Sequence, residues 1–126
     1  MPGLRSPLAL LAASLTLFAV LVAGCSNVTR VADGATLRIA LTEYRVRPQS
    51  VGASAGLLTI EVHNYGRLSH NLVIALAGHP VFSTKPIPPG QTTELLANLA
   101  PGKYAMASTI LADQALGAYG TLMVTR

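Results

Sequence analysis

Apolar residues recur at every second position in several short runs, and this period commits the chain to sheets. Leu37, Ile39 and Leu41 alternate with Arg38, Ala40 and Thr42, and Leu58, Ile60 and Val62 alternate with Thr59, Glu61 and His63. Leu72, Ile74 and Leu76 alternate in the same way with Asn71, Val73 and Ala75. Successive side chains of a strand point to opposite faces, so each run offers one apolar face and one face for water. Thr92–Leu96, Tyr104–Ser108 and Thr121–Thr125 read as further strands. Between the runs stand Asn64-Tyr65-Gly66, Ala77-Gly78-His79-Pro80, Pro88-Pro89-Gly90 and Ala100-Pro101-Gly102. In Pro-Gly, proline presets one turn residue and glycine frees the next to take positive φ. Thr109–Ala118 has some helical-turn character and is read as a loop. Many short strands with regular turns predict an all-β fold, an antiparallel β-sandwich over residues 36–126.

The start of the chain reads differently. Arg5 supplies a positive charge, and an uncharged apolar run follows from Leu8 to Ala23, interrupted only by Ser14 and Thr16. That run is shorter than the roughly 20 residues that comfortably span a bilayer, so residues 1–24 are predicted to be a cleaved export signal. The ending Leu21-Val22-Ala23-Gly24-Cys25 resembles the lipobox of bacterial lipoproteins. The resemblance implies that Cys25 becomes the acylated first residue of the mature protein, carrying a diacylglycerol and a third chain such as palmitate. The expected partner is therefore a membrane, engaged through the N-terminal lipid. The expected location is extracytoplasmic, on a periplasmic or cell-surface face. Residues 25–35 are read as the lipidated N-terminus and a short tether.

Cys25 is the only cysteine, so an acylated Cys25 leaves no thiol for a disulfide and the domain must rely on its core. The whole chain carries 9 Lys and Arg against 5 Asp and Glu. Arg30, Arg38, Arg45, Arg47, Arg67, Lys85, Lys103 and Arg126 are spread along the mature part and form no run, which excludes a nucleic-acid footprint. The mature length suits one domain with a single core.

Several motifs follow one another in a set order. Asn64-x-Gly66-x-x-x-His70-Asn71-Leu72-Val73 precedes Ile87-Pro88-Pro89-Gly90-x-Thr92. Leu99-x-Pro101-Gly102-x-Tyr104 and Gly117-x-x-Gly120-Thr121-Leu122-x-Val124 close the chain. The set resembles the cupredoxin family, the small Greek-key sandwiches of plastocyanin, azurin and their bacterial relatives, over all of residues 36–126. The resemblance implies a copper site at one end of the sandwich, with His70 in the place of the first histidine ligand. The downstream frame of the family keeps Pro101, Gly102, Tyr104, Gly117 and Gly120 without a gap, but its ligand positions are changed. Ser108 stands at the cysteine position, Asp113 at the second histidine and Ala118 at the axial methionine. A blue-copper centre needs two histidines, a thiolate and a weak axial ligand. A serine hydroxyl is hard and barely acidic, so the resemblance implies a degenerate site and not an electron carrier.

Three uses of His70, Ser108 and Asp113 remain open. They can simply hydrogen-bond to one another, leaving a domain without a cofactor that acts as a binding or accessory module for a protein at the membrane surface. The alternative is a copper-binding or copper-handling protein that uses His70 with Asp113. A nucleophilic triad is the third, opposed by the lack of a Gly-x-Ser-x-Gly elbow and by the convergence of metal-ligand positions on one centre; the chain is not expected to be an enzyme. Met106 and Met123 are read as core residues, and His63 and His79 as surface ones. Glu43 and Tyr44 beside Arg45 and Arg47 look like a solvated edge, Glu61 and His63 like a pair on one strand face. Tyr119 is expected to fill the vacated metal cavity.

Overall fold

The computed structural model describes residues 27–126 and the isolated Gly3; Cys25 and the rest of the export signal expected over 1–24 lie outside the described residues. Strands β1 (Thr29–Arg30), β2 (Leu37–Thr42), β3 (Arg45–Arg47), β4 (Ser50–Ser54) and β5 (Gly56–Asn64) come first. They are followed by β6 (Val73–Leu76), β7 (His79–Ser83), β8 (Thr92–Leu99), β9 (Gly102–Ala107) and β10 (Tyr119–Thr125). One sheet has the order β1-β4-β10-β9-β6-β7, the other β3-β2-β5-β8.

The expected β-sandwich is present, and its sheets are mixed. β1 pairs with β4, β4 with β10 and β2 with β5 in parallel, while the remaining neighbours are antiparallel. Strands joined by a tight turn must run antiparallel, whereas strands brought together by a longer connection are free to run parallel. β2 and β5 meet only after the chain has passed through β3 and β4.

The core fills the space between the sheets. Leu37, Ile39 and Leu41 of β2, Leu58, Ile60 and Val62 of β5, and Ala97 and Leu99 of β8 point inward from one side. Val51, Ile74, Tyr104, Met106, Leu122 and Val124 meet them from the other. Full burial of one such leucine or isoleucine contributes about 2 kcal/mol. The strand expected over Thr92–Leu96 continues to Leu99, whose side chain is buried. The face expected from Leu72, Ile74 and Leu76 is cut short: Leu72 and Ile74 are buried, but Leu76 is exposed at the last residue of β6, beside the Ala77-Gly78 turn. Met106 is fully buried, whereas Met123 is exposed on the outer face of β10.

The tether expected over 25–35 contains a strand. Thr29 and Arg30 pair with Val51 and Gly52, the Val31 N–H donates to the Gly52 carbonyl at 2.9 Å, and Val31 packs against the core. The free edge of β4 offers unpaired backbone groups, and this short segment satisfies them.

Strand directions fix which loops share an end. β2, β5, β7 and β9 finish at one end of the sandwich, and β1, β3, β4, β6, β8 and β10 start there. The turn after β2 and the loops after β5, β7 and β9 therefore close that end together.

Candidate functional site

Asn64, the last residue of β5, organises this end. It is fully buried, and its amide Nδ2 donates to the carbonyls of Leu68 at 2.7 Å and Ile87 at 2.8 Å. Its Oδ1 accepts from the Gly66 N–H at 2.8 Å, an Asx turn that reverses the chain. His70 returns beside Ile87, with backbone bonds of 3.2 Å from the His70 N–H and 2.7 Å from the Ile87 N–H. Asn71 ties this loop to the one after β9: its Oδ1 accepts from the Thr109 N–H at 2.7 Å, and its Nδ2 donates to Thr109 Oγ1 at 3.0 Å. The Asn-x-Gly and His-Asn pieces of the sequence motif are thus the fastenings of two loops.

The four positions expected at the site come together. His70, Ser108 and Ala118 are completely buried, and Asp113 is 7% exposed. The His70 Nδ1–H donates to Asp113 Oδ2 at 2.6 Å, and the Ser108 hydroxyl donates to the same oxygen at 2.6 Å. Backbone bonds close the loop around them, from the Ser108 N–H to the Ala118 carbonyl at 3.0 Å and from the Ala118 N–H to the Asp113 carbonyl at 2.9 Å. The Asp113 carboxylate therefore occupies the position toward which His70 Nδ1 points.

A fifth residue joins this group, one that sequence reasoning placed on a solvated edge. Glu43, in the turn between β2 and β3, accepts hydrogen bonds through Oε1 from the N–H groups of Arg67 and of Leu68, the latter at 3.1 Å. The Arg67 N–H above all, then Glu43's own N–H, hold its carboxyl below the usual carboxylate range. The same Oε1 lies 3.6 Å from His70 Nε2, which is buried and has no hydrogen-bond partner among the described residues. Gly66 makes room for the approach, since a Cβ there would stand 2.6 Å from Glu43 Oε1 and 2.7 Å from His70 Nε2. The need for a glycine at this position was the one signal in the sequence that something else packs there.

Tyr119 does not fill a metal cavity. It is 52% exposed and lines an open cleft of about 700 Å³ with Tyr44, Arg45, Arg47 and Gly117. The strand period explains this: Gly120 and Leu122 point inward along β10, so Tyr119 points outward. Asp113 and Ser108 close the place themselves. Nor do Glu61 and His63 pair. Glu61 meets Arg38 at 3.8 Å and His63 Nδ1 lies 2.5 Å from Thr92 Oγ1, each with the residue directly opposite on a neighbouring strand. The His63 ring also packs on Tyr65, with centroids 4.1 Å apart. His79 is exposed in the first position of β7.

This donor set does not fit a blue-copper ion. Ser108 offers a hydroxyl where a thiolate is needed, Ala118 offers no donor, and His70 Nδ1 is already engaged. Among the described residues no group of three or more His, Cys, Asp or Glu is arranged to hold a metal ion. A nucleophilic relay is not formed either, because Ser108 donates to Asp113 and not to His70.

The chain matches no protein-family model and no curated protein by sequence. In structure it is a cupredoxin-like domain. It is similar to the reduced auracyanin of Roseiflexus castenholzii, with a TM-score of 0.65 and 21% identity over 72% of this chain and 97% of that one. An azurin of Methylomonas sp. strain J superposes with a TM-score of 0.62 at 12% identity, covering 78% of this chain and 98% of the azurin. Reduced rusticyanin gives 0.64 at 16% identity, with 78% and 84% covered. Identities this low carry the fold and nothing finer. Among the described residues no helix is long and apolar enough to cross a membrane.

Proposed function

We propose that this chain is an exported lipoprotein, held on the extracytoplasmic face of a membrane through an acylated Cys25, whose cupredoxin-like domain is a binding or accessory module. It carries no electrons and catalyses no reaction. One observation supports this above the others: Asp113 Oδ2 accepts from both His70 Nδ1 and Ser108 Oγ at 2.6 Å, so a buried hydrogen-bonded pair of contacts closes the metal position. The residues around it serve the fold, and the surface serves the function. The lipid anchor rests on the Leu-x-Ala-Gly-Cys ending at Cys25.

Copper held between His70 and Asp113 is the competing reading. An ion there must open the His70–Asp113 contact and displace the Ser108 hydrogen bond, and neither Ser108 nor Ala118 offers a soft donor to compensate. The test is a titration of the mature chain with Cu(II), followed by EPR, and with Cu(I) under competition, beside His70→Ala. The expected result is loose binding that the substitution leaves unchanged. Tight, one-to-one binding lost in His70→Ala would make the protein a copper handler and overturn the accessory reading.

A further inference from the structure

The chain enters the sandwich at the end that carries His70 and Asp113, because β1 runs parallel to β4, and β4 to β10. Only Ser26, Asn27 and Val28 separate Cys25 from Thr29, the first residue of β1. Extended chain spans at most about 3.6 Å per residue, so Cys25 lies within about 14 Å of Thr29. Asn27 and Thr29 line the same cleft as Tyr44 and Tyr119. A lipid on Cys25 thus holds this end of the domain, and not the opposite one, against the bilayer.

The side chains at this end suit that position. Leu111 is 88% exposed at the tip of the loop after β9, Leu116 stands in the same loop, and Leu68 is exposed in the loop after β5. Tyr44 and Tyr119 are more than half exposed beside them. The charge here is also one-sided. Arg45 and Arg47 line the cleft with the two tyrosines, and Arg67 and Lys85 are exposed on loops of the same end. None of these four cations is in an ion pair among the described residues. The carboxylates of this end are already engaged, Glu43 by backbone N–H groups and Asp113 in the buried network.

We infer that this end is a membrane-docking face for a bilayer with anionic headgroups. Leu68, Leu111 and Leu116 enter the interfacial layer, Tyr44 and Tyr119 sit at headgroup depth, and Arg45 and Arg47 take headgroup phosphate in the cleft between them. The inference deepens the lipoprotein reading and rests on it for the orientation. It also places the closed His70 site under the domain, against lipid, and leaves the opposite end and the outer sheet faces for any soluble partner.

The chain has no tryptophan, so one introduced indole reports depth without background. Acylated chain carrying Leu111→Trp, and separately Leu57→Trp at the opposite, exposed end, is reconstituted in vesicles with brominated acyl chains. Quenching at least severalfold stronger for Leu111→Trp is expected. Equal quenching, or quenching of Leu57→Trp alone, overturns the orientation, and quenching of neither leaves the face to a protein partner and overturns it too. A second arm removes the lipid: Cys25→Ser mature chain is sedimented with phosphatidylcholine vesicles with and without phosphatidylglycerol. Binding should require phosphatidylglycerol and fall about fivefold for each of Arg45→Ala and Arg47→Ala. No binding, or binding indifferent to both arginines, overturns the headgroup contact. The mass of the mature N-terminus is read separately. An unacylated Cys25 defeats the lipoprotein reading alone, and the second arm then decides the docking face.

Discussion

Asp113 is the residue on which the buried cluster depends, because one of its oxygens accepts from two buried donors. Asp113→Ala leaves the His70 Nδ1–H unpartnered in the interior and the Ser108 hydroxyl with only its long 3.4 Å bond to Asn71 Oδ1, and the expected cost is about 3 kcal/mol. Asp113→Asn keeps an acceptor and should cost less. Urea unfolding of the two variants beside the parent chain checks both the size and the order. Glu43 gives a pH signature. Its carboxyl is held below the usual carboxylate range in the folded state, so below about pH 4.3 the unfolded chain binds the proton first. The stability it contributes is fully present above that value and is lost as pH falls through the folded one. Glu43→Gln should lower the urea midpoint near neutrality and flatten the acid limb of the stability curve, so that variant and parent converge as pH falls from about 5 to about 2.5. An acid limb of unchanged slope would mean that another carboxylate governs it. His70, Ser108, Asp113 and Ala118 were legible in the sequence because the glycine and proline frame around them fixes their spacing. Glu43 was not, because its partners Arg67 and Leu68 are reached across two loops that only the folded sheet brings together.

At the level of elements, legibility followed the strength of the period-two pattern. β2 and β5 alternate fully, and their inward residues were read correctly. β7 is an exposed edge strand whose residues are nearly all outside, so it has no buried face to announce itself. β3 is three residues long, and β4 is Ser-Val-Gly-Ala-Ser, too small in its side chains to show an apolar stripe. β1 is held by the free edge of β4 and by the burial of Val31, neither of which is written in its own two residues. The closing glycines were legible as a motif, but their reason is packing of backbone on backbone. A Cβ on Gly120 would stand 2.5 Å from the Gln49 carbonyl oxygen, and one on Gly117, at φ +115°, would stand 2.9 Å from that of Tyr44. Gly120→Ala must push β10 away from the start of β4, and the Thr121 N–H would lose its 2.7 Å bond to Gln49. A loss of about 3 kcal/mol is expected, read as a lowered thermal midpoint. A midpoint within a degree or two of the parent would show that the β3–β4 connection yields easily.

For the whole molecule, the backbone contacts that shape the His70 end are separable from the side chains that line it. The loop after β9 is still closed by the Ser108–Ala118 and Ala118–Asp113 backbone bonds, and His70 is still clamped beside Ile87. None of these contacts needs a metal, so the fold accounts for them without one. Supplying the donors of a blue-copper centre should therefore supply its chemistry. Ser108→Cys with Asp113→His supplies a thiolate and a second imidazole to the place that His70 Nδ1 faces, and Ala118→Met adds the axial thioether. The triple variant is expected to bind one Cu(II) and to show an intense visible thiolate-to-copper charge-transfer band. Asp113→His without Ser108→Cys should lack that band. Ala118 is completely buried, so the larger methionine costs about 1–3 kcal/mol of overpacking. The pair Ser108→Cys and Asp113→His avoids that cost and should still give the band, with a weaker axial field. A folded triple variant that takes up no copper would show that His70 has moved as well, so that the frame no longer holds the geometry a metal requires.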